Sequence, residues 1–144
     1  MKYTLATNWD PALIDQIEAD TVESVYGKLS QDIVGGGRAS YLLKDTNELN
    51  ISDYIRRVHE KGIEFFYLLN ASCCGNHEFT RSWQREFNQF VEQLCDFGVD
   101  GVVVTIPYLV QIIKRRFPQL KISTSTFCMI DSIERAKYYE DMGV

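Results

Sequence analysis

The segment IEFFYLLNASCCGNHEFT, residues 63–80, decides how the rest of the chain is interpreted. It begins with a nearly continuous apolar run, Phe65 to Leu69, which is typical of a strand buried on both faces. Small polar and nucleophilic side chains follow this run, and Glu78 and Phe79 are predicted to open an amphipathic helix. Because parallel α/β folds bind ligands at the C-terminal ends of their strands, a site is expected here.

Composition limits the fold and the partners. The chain has 144 residues, 45% of them hydrophobic and 12% aromatic, and a formal net charge of −5, which fits one domain with a real core. No apolar run is long enough to span a bilayer, and the N-terminus lacks the apolar segment of a signal peptide. The basic block Lys114–Arg116 is explained by the dipole of the helix that it ends, so general nucleic-acid binding is not expected.

The four cysteines form no C-x-x-C pair. Cys73 and Cys74 are adjacent, and a disulfide between them would be strained. Reduced thiols in the cytoplasm are therefore the expectation.

A strand followed by a helix is predicted five times along the chain. The strands are expected over residues 1–8, 22–29, 65–69, 99–106 and 120–127. The helix starts are marked by Asp10 with Pro11, by Asn50 or Ser52, by Glu78 with Phe79, by Pro107 and by Asp131. Helix-ending glycines stand at Gly62, Gly98 and Gly143, and Gly143–Val144 resembles the start of a sixth strand.

Repetition of this unit predicts a parallel sheet with right-handed crossovers and with the helices on one face. The first five units of a (β/α)₈ barrel are favoured, so that residues 1–144 form a single partial-barrel domain; a complete barrel needs about 250 residues. The alternative is a flavodoxin-like five-stranded parallel sheet, which closes at about this length. Neither a dinucleotide-binding motif nor a P-loop is present.

Amides and hydroxyls dominate the predicted strand ends. The candidate ligand-binding residues are Asn8, Tyr26, Arg38, Asn70, Ser72, Cys73, His77, Thr105 and Ser125. They are predicted to cluster at one end of the sheet and to hydrogen-bond a polar organic ligand. The alternative is that they satisfy loop backbone and cap helices. A metal is not expected, because divalent ions require carboxylates or several histidines.

Catalytic residues cannot be assigned from the sequence. Cys73 and Cys74 lie near a predicted helix N-terminus, which lowers a thiol pKa, and His77 is close enough in sequence to act as a base. Sequence neighbours seldom have the necessary geometry, so unreactive loop residues are the favoured interpretation. Arg38 would either clamp a carboxylate or phosphate or be a solvated loop arginine, and His59 is expected to be solvated.

A family resemblance emerges from the motifs taken together. They are Val25-Tyr26-Gly27, the glycine run Gly35–Arg38, Leu69–Cys73 with Gly75–Phe79, Phe97–Val102, Ile106–Leu109 and Ser123–Thr126. In this order they resemble the N-terminal half of peptidase family U32, the collagenase-like proteases. The resemblance covers nearly the whole chain and implies a (β/α)₈-like barrel from a bacterial or archaeal cytoplasm.

The resemblance implies two different kinds of activity. Some members are described as peptidases, whereas others resemble iron–sulfur proteins that support hydroxylation of RNA or of quinone precursors. The family's Glu-x-Phe segment and cysteine cluster belong to the second half, and nothing here matches them. No cofactor is therefore expected in this segment, and an iron–sulfur cluster would belong to the missing half.

Three functions remain open: part of a peptidase that is inactive alone, half of a hydroxylation factor, or a non-catalytic binding or assembly module. The substrate would be a peptide, an RNA or a small molecule. Two unpaired sheet edges predict association with the second half or with another copy, through residues 121–127. Exposure of Phe65, Tyr67, Val102, Val104 and Ile122 on an open barrel interior is also expected.

Overall fold

Five parallel strands lie side by side in chain order in the computed structural model of the protein, which describes residues 2–37 and 50–144. They are β1 (Tyr3–Ala6), β2 (Val22–Gly27), β3 (Glu64–Leu69), β4 (Gly101–Val104) and β5 (Lys121–Thr124). The order β1-β2-β3-β4-β5 confirms the predicted start of a barrel. A flavodoxin-like sheet would need a reversal of strand order between its first and third strands, and the described strands have none.

Within the described residues, five α-helices alternate with the strands. They are α1 (Pro11–Gln16), α2 (Ile51–Glu60), α3 (Arg81–Asp96), α4 (Pro107–Arg116) and α5 (Ile133–Asp141). Consecutive parallel strands joined by right-handed crossovers place these helices on one face of the sheet. No described helix has the length and apolar character required to cross a membrane.

Capping side chains fix where the helices begin. Asp10 accepts a hydrogen bond from the Ala12 amide at 3.2 Å, and Asn50, rather than Ser52, accepts one from the Asp53 amide at 3.1 Å. The last helix is capped by Ser132, not by the predicted Asp131. The third helix begins at Arg81 behind a Thr80 cap, because Glu78 and Phe79 lie in a separate 3₁₀ turn, His77–Phe79.

Four of the described strands are shorter than predicted, because turns take over at their ends, whereas β3 begins one residue before its predicted start, at Glu64. After β5, the Ser125 hydroxyl accepts a hydrogen bond from the Phe127 amide at 3.2 Å and caps a 3₁₀ turn, Thr126–Cys128. β2 ends at Gly27, and the next residue, Lys28, is buried.

The core lies between the sheet and the helices. Phe65, Tyr67, Val102 and Val104 are at most 2% exposed and pack in this core, and Ile122 packs against it. The prediction that these side chains line an open barrel interior was therefore wrong. Alternate residues point to opposite faces of a strand, and an unbroken apolar run does not show which set faces the helices.

Candidate functional site

A cavity of about 400 Å³ opens at the C-terminal ends of the strands, on the face of the sheet opposite the helices. Its polar lining consists of Thr4, Tyr26, Asn70, Ser123, Thr124, Ser125 and Thr126, and its apolar lining of Leu68 and Val103. None of these described lining residues is charged. The surface can therefore donate and accept hydrogen bonds without selecting for a charged ligand.

Asn70 connects two neighbouring segments at one side of the cavity by hydrogen bonds. Its backbone carbonyl accepts a hydrogen bond from the Thr105 hydroxyl at 3.0 Å, and its side-chain oxygen accepts one from the Gly37 amide at 3.3 Å. Thr105 is 8% exposed and is not among the lining residues. It therefore positions Asn70 instead of facing a ligand.

The glycine segment after β2 approaches two side chains closely, Asn70 and Phe127. A Cβ atom at Gly36 would overlap the Asn70 side-chain oxygen, and one at Gly37 would overlap the Phe127 ring. Glycine is needed at both positions because the backbone approaches these groups so closely. The predicted site residue Arg38 follows directly, and it lies outside the described residues.

The other residues of the predicted site have distinct environments. Ser125 is 6% exposed and its hydroxyl caps the turn after β5. The Asn8 side-chain oxygen accepts a hydrogen bond from the Asp10 amide at 3.2 Å, and Asn8 does not line the cavity. Tyr26 is partly exposed, and no hydrogen bond from its hydroxyl to another described residue is present. Of these three, Tyr26 offers a ligand the freest polar group.

The loop after β3 stands apart from the cavity. Ser72, Cys73 and His77 are exposed, and none of them is among the lining residues. The Cys73 sulfur accepts a hydrogen bond from the Gly75 amide at 3.1 Å. Within the described residues no hydrogen bond joins Cys73 to His77, so the structure does not form a thiol–imidazole pair there.

Cys74 is poorly suited to nucleophilic attack. Burial, reinforced by the nearby Glu78 carboxylate, raises the pKa of its thiol to about 11. A thiol with that pKa is almost entirely protonated at neutral pH, and the thiolate is the reactive form.

A buried polar network that the sequence did not reveal lies in the turn that follows β2. The Asp32 side chain is fully buried and pairs with the Lys28 ammonium at 2.9 Å, and the Lys28 side chain is 4% exposed. The same carboxylate accepts hydrogen bonds from the Tyr67 hydroxyl at 2.8 Å and from the Val34 and Gly35 amides at 3.0 and 2.6 Å.

This network fixes the chain between β2 and the glycine segment. The Tyr67 hydroxyl also accepts a hydrogen bond from the Leu29 amide at 2.9 Å, so both ends of the turn are tied to β3. Burial and the Asp32 charge raise the pKa of Tyr67. The sequence signal for this network is the charged pair Lys28 and Asp32, which follows β2 directly. The contact between Tyr67 and Asp32 could not be inferred, because these residues are 35 positions apart.

Within residues 2–37 and 50–144, no three His, Cys, Asp or Glu side chains are grouped so that they could hold a metal ion.

The similarity to known proteins extends over most of the chain. The family model of peptidase family U32 matches residues 25–144, from within β2 to the last residue. The chain belongs to peptidase family U32. The resemblance in its motifs is thereby confirmed.

Two relatives are longer than the segment that this U32 chain matches. An uncharacterized protease of Methanocaldococcus jannaschii is 28% identical over 113 residues, which cover 78% of this chain and 33% of the relative. A solved structure of a U32 peptidase superposes with a TM-score of 0.75 at 19% identity, covering 99% of this chain and 56% of that one. The likeness to the solved structure shows that the two chains share a fold. The U32 chain thus spans about a third of the curated relative and just over half of the solved one.

Proposed function

We propose that this U32 chain supplies the substrate-binding part of a peptidase barrel and holds polypeptide backbone in the cavity at its strand ends. The observation that carries the proposal is the lining of that cavity: hydroxyls and one amide above Leu68 and Val103, with no charged side chain among the described lining residues. Polypeptide is the substrate class because the chain belongs to a peptidase family and its relative is named a protease.

The chemistry of the lining matches a peptide backbone. A peptide presents neutral N–H donors and C=O acceptors along its length. Hydroxyl groups both donate and accept, so Tyr26 and Ser123 can serve either partner. Leu68 and Val103 would contact an apolar side chain of the bound segment.

In this proposal the chain is inactive by itself. Among the described residues, no serine, threonine or cysteine side chain is hydrogen-bonded to a histidine or carboxylate side chain, and Cys74 has a pKa of about 11. The catalytic groups would come from outside the five units. All four cysteines are free thiols, which agrees with a reducing cytoplasm.

Association through the β5 edge belongs to the same proposal. Among the described strands β5 pairs with β4 alone, and beyond it Phe127, Met129 and Ile133 are 47%, 72% and 70% exposed. An unpaired edge beside exposed apolar side chains favours docking of another strand or chain. Light scattering after size exclusion tests this: we expect self-association, and a monodisperse monomer would contradict it.

Calorimetric titration with an unstructured, uncharged peptide tests the binding site. The double variant Tyr26→Phe, Ser123→Ala removes two free hydroxyls from the cavity and keeps its shape. Each lost hydrogen bond is worth about 0.5–1.5 kcal/mol, so we expect the dissociation constant to rise roughly tenfold.

The control is the exposed pair Ser72→Ala, Ser82→Ala, which lies outside the cavity and should bind like the parent. Equal affinities for the two double variants would overturn the proposed site. Cleavage of the peptide that is lost on Cys73→Ala or His77→Ala would overturn the proposed inactivity.

A further inference from the structure

Helices α3 and α4 enclose a second concave surface, on the helical side of the sheet. It is a groove of about 520 Å³ whose lining includes Arg81 and Arg85 from α3 and Arg115 and Arg116 from α4. All four arginines are exposed. The formal net charge of the chain is −5, so this concentration of cations is local.

The four groove arginines differ from the others in the described part of the chain. Arg56 pairs with Asp53, Arg57 with Asp15 and Arg135 with Asp131. The groove arginines form no ion pair with another described residue. Each described arginine outside the groove therefore has a carboxylate partner, whereas those inside are free to meet one from a ligand.

We propose that this groove binds acidic segments of a polypeptide. A guanidinium group binds a carboxylate through two parallel hydrogen bonds, which gives the pair both strength and orientation. The inference rests on the proposed function to the extent that it identifies the polypeptide as a substrate. The groove would then retain the substrate at a distance from the cavity.

Helix geometry specifies the spacing of the acidic residues. Arg81 and Arg85 are four residues apart on α3, which separates them by about 6 Å along the helix axis. In an extended peptide, residues i and i+2 lie on one side and about 6.6–7 Å apart. The two arginines therefore match carboxylates at alternate positions, in the pattern Glu-x-Glu.

Two features favour a polypeptide over a nucleic acid. No aromatic side chain is present among the described lining residues, whereas single-stranded nucleic acid is usually held by stacking on aromatic rings. Glu92 also lines the groove and interrupts the positive charge. A nucleic acid carries a phosphate at each nucleotide, but a polypeptide can place its carboxylates where the arginines are.

Fluorescence anisotropy tests the inference with a labelled peptide of alternating Glu and Ser. The double variant Arg85→Gln, Arg115→Gln removes one guanidinium from each wall. We expect at least about a tenfold loss of affinity, and weaker binding by the parent protein as salt rises. The matched control Arg56→Gln, Arg57→Gln removes the same charge from α2 and should retain the parent affinity.

Three outcomes would overturn the proposal: no saturable binding of the acidic peptide, an equal loss in the α2 control, or tighter binding of a single-stranded RNA oligonucleotide than of the peptide. Titration of the same groove variant with the uncharged peptide separates the two proposals. If the groove variant binds the uncharged peptide as the parent does but no longer binds the acidic peptide, the groove proposal is supported. That result does not depend on how the cavity variants behave.

Discussion

The turn after β2 and the loop after β3 follow neighbouring strands at the same end of the sheet, yet they are built differently. The turn after β2 contains ordinary charged residues, and the Asp32 side chain there is fully buried with four partners. The loop after β3 contains the residues that look reactive, but Ser72, Cys73 and His77 are exposed. Burial and hydrogen-bond partners, more than residue type, therefore distinguish the ordered polar network after β2 from the exposed polar side chains after β3.

Replacing Asp32 should give the largest effect. Asp32→Ala leaves the Lys28 ammonium buried without its carboxylate, and breaking a buried pair in this way costs roughly 3–5 kcal/mol. Urea denaturation should show that loss of unfolding free energy. The control Asp131→Ala removes a carboxylate whose side chain is 80% exposed and should cost less than about 1 kcal/mol. Similar losses in the two variants would show that the buried Asp32 carboxylate stabilises the fold no more than an exposed one does.

Tyr67→Phe should have an intermediate effect. It removes the hydroxyl that donates to Asp32 and accepts from the Leu29 amide, while the ring stays in the core. We expect a loss of about 1–3 kcal/mol in urea denaturation. The control is Phe66→Leu, on the other face of β3. A Tyr67→Phe protein as stable as the parent would show that the network does not stabilise the turn.

Sequence-based prediction succeeded where the signal was local. Asn50 caps α2, which adjacent residues predict, and the strand order follows from a local strand–helix unit that is repeated along the chain. The face of β4 could not be predicted, since Val102, Val103 and Val104 form an unbroken run. His59 is exposed, as expected, but its ring also lies 2.7 Å from the Asp100 carboxylate, a contact that the sequence did not predict.

The least predictable features join distant parts of the chain. Asp32 and Tyr67 are 35 residues apart, and the groove arginines come from two helices. The block Lys114–Arg116 was explained by the helix dipole alone, because nothing in the sequence shows that Arg81 and Arg85 face it. Such sites depend on packing that only the fold defines.

The smallest expected effect is a dependence of folding stability on pH that comes from Cys74, in the loop after β3. The pKa of Cys74 is raised from 9.0 to about 11, so between these values the unfolded chain binds fewer protons than the folded one. Stability should therefore fall as pH rises through this window. Cys74→Ala should reduce that fall relative to the parent, because all other titrating groups are shared. Identical pH profiles would contradict the raised pKa.

Amide NMR during titration with an unstructured, uncharged peptide tests the central claim most directly, since it shows which strand-end residues meet the ligand. We predict saturable shifts at Tyr26, Asn70 and Ser123, which line the cavity, and little change at Cys73 and His77, which do not. Shifts concentrated at Cys73 and His77, with Tyr26 and Ser123 unmoved, would contradict the account and return the site to the loop after β3.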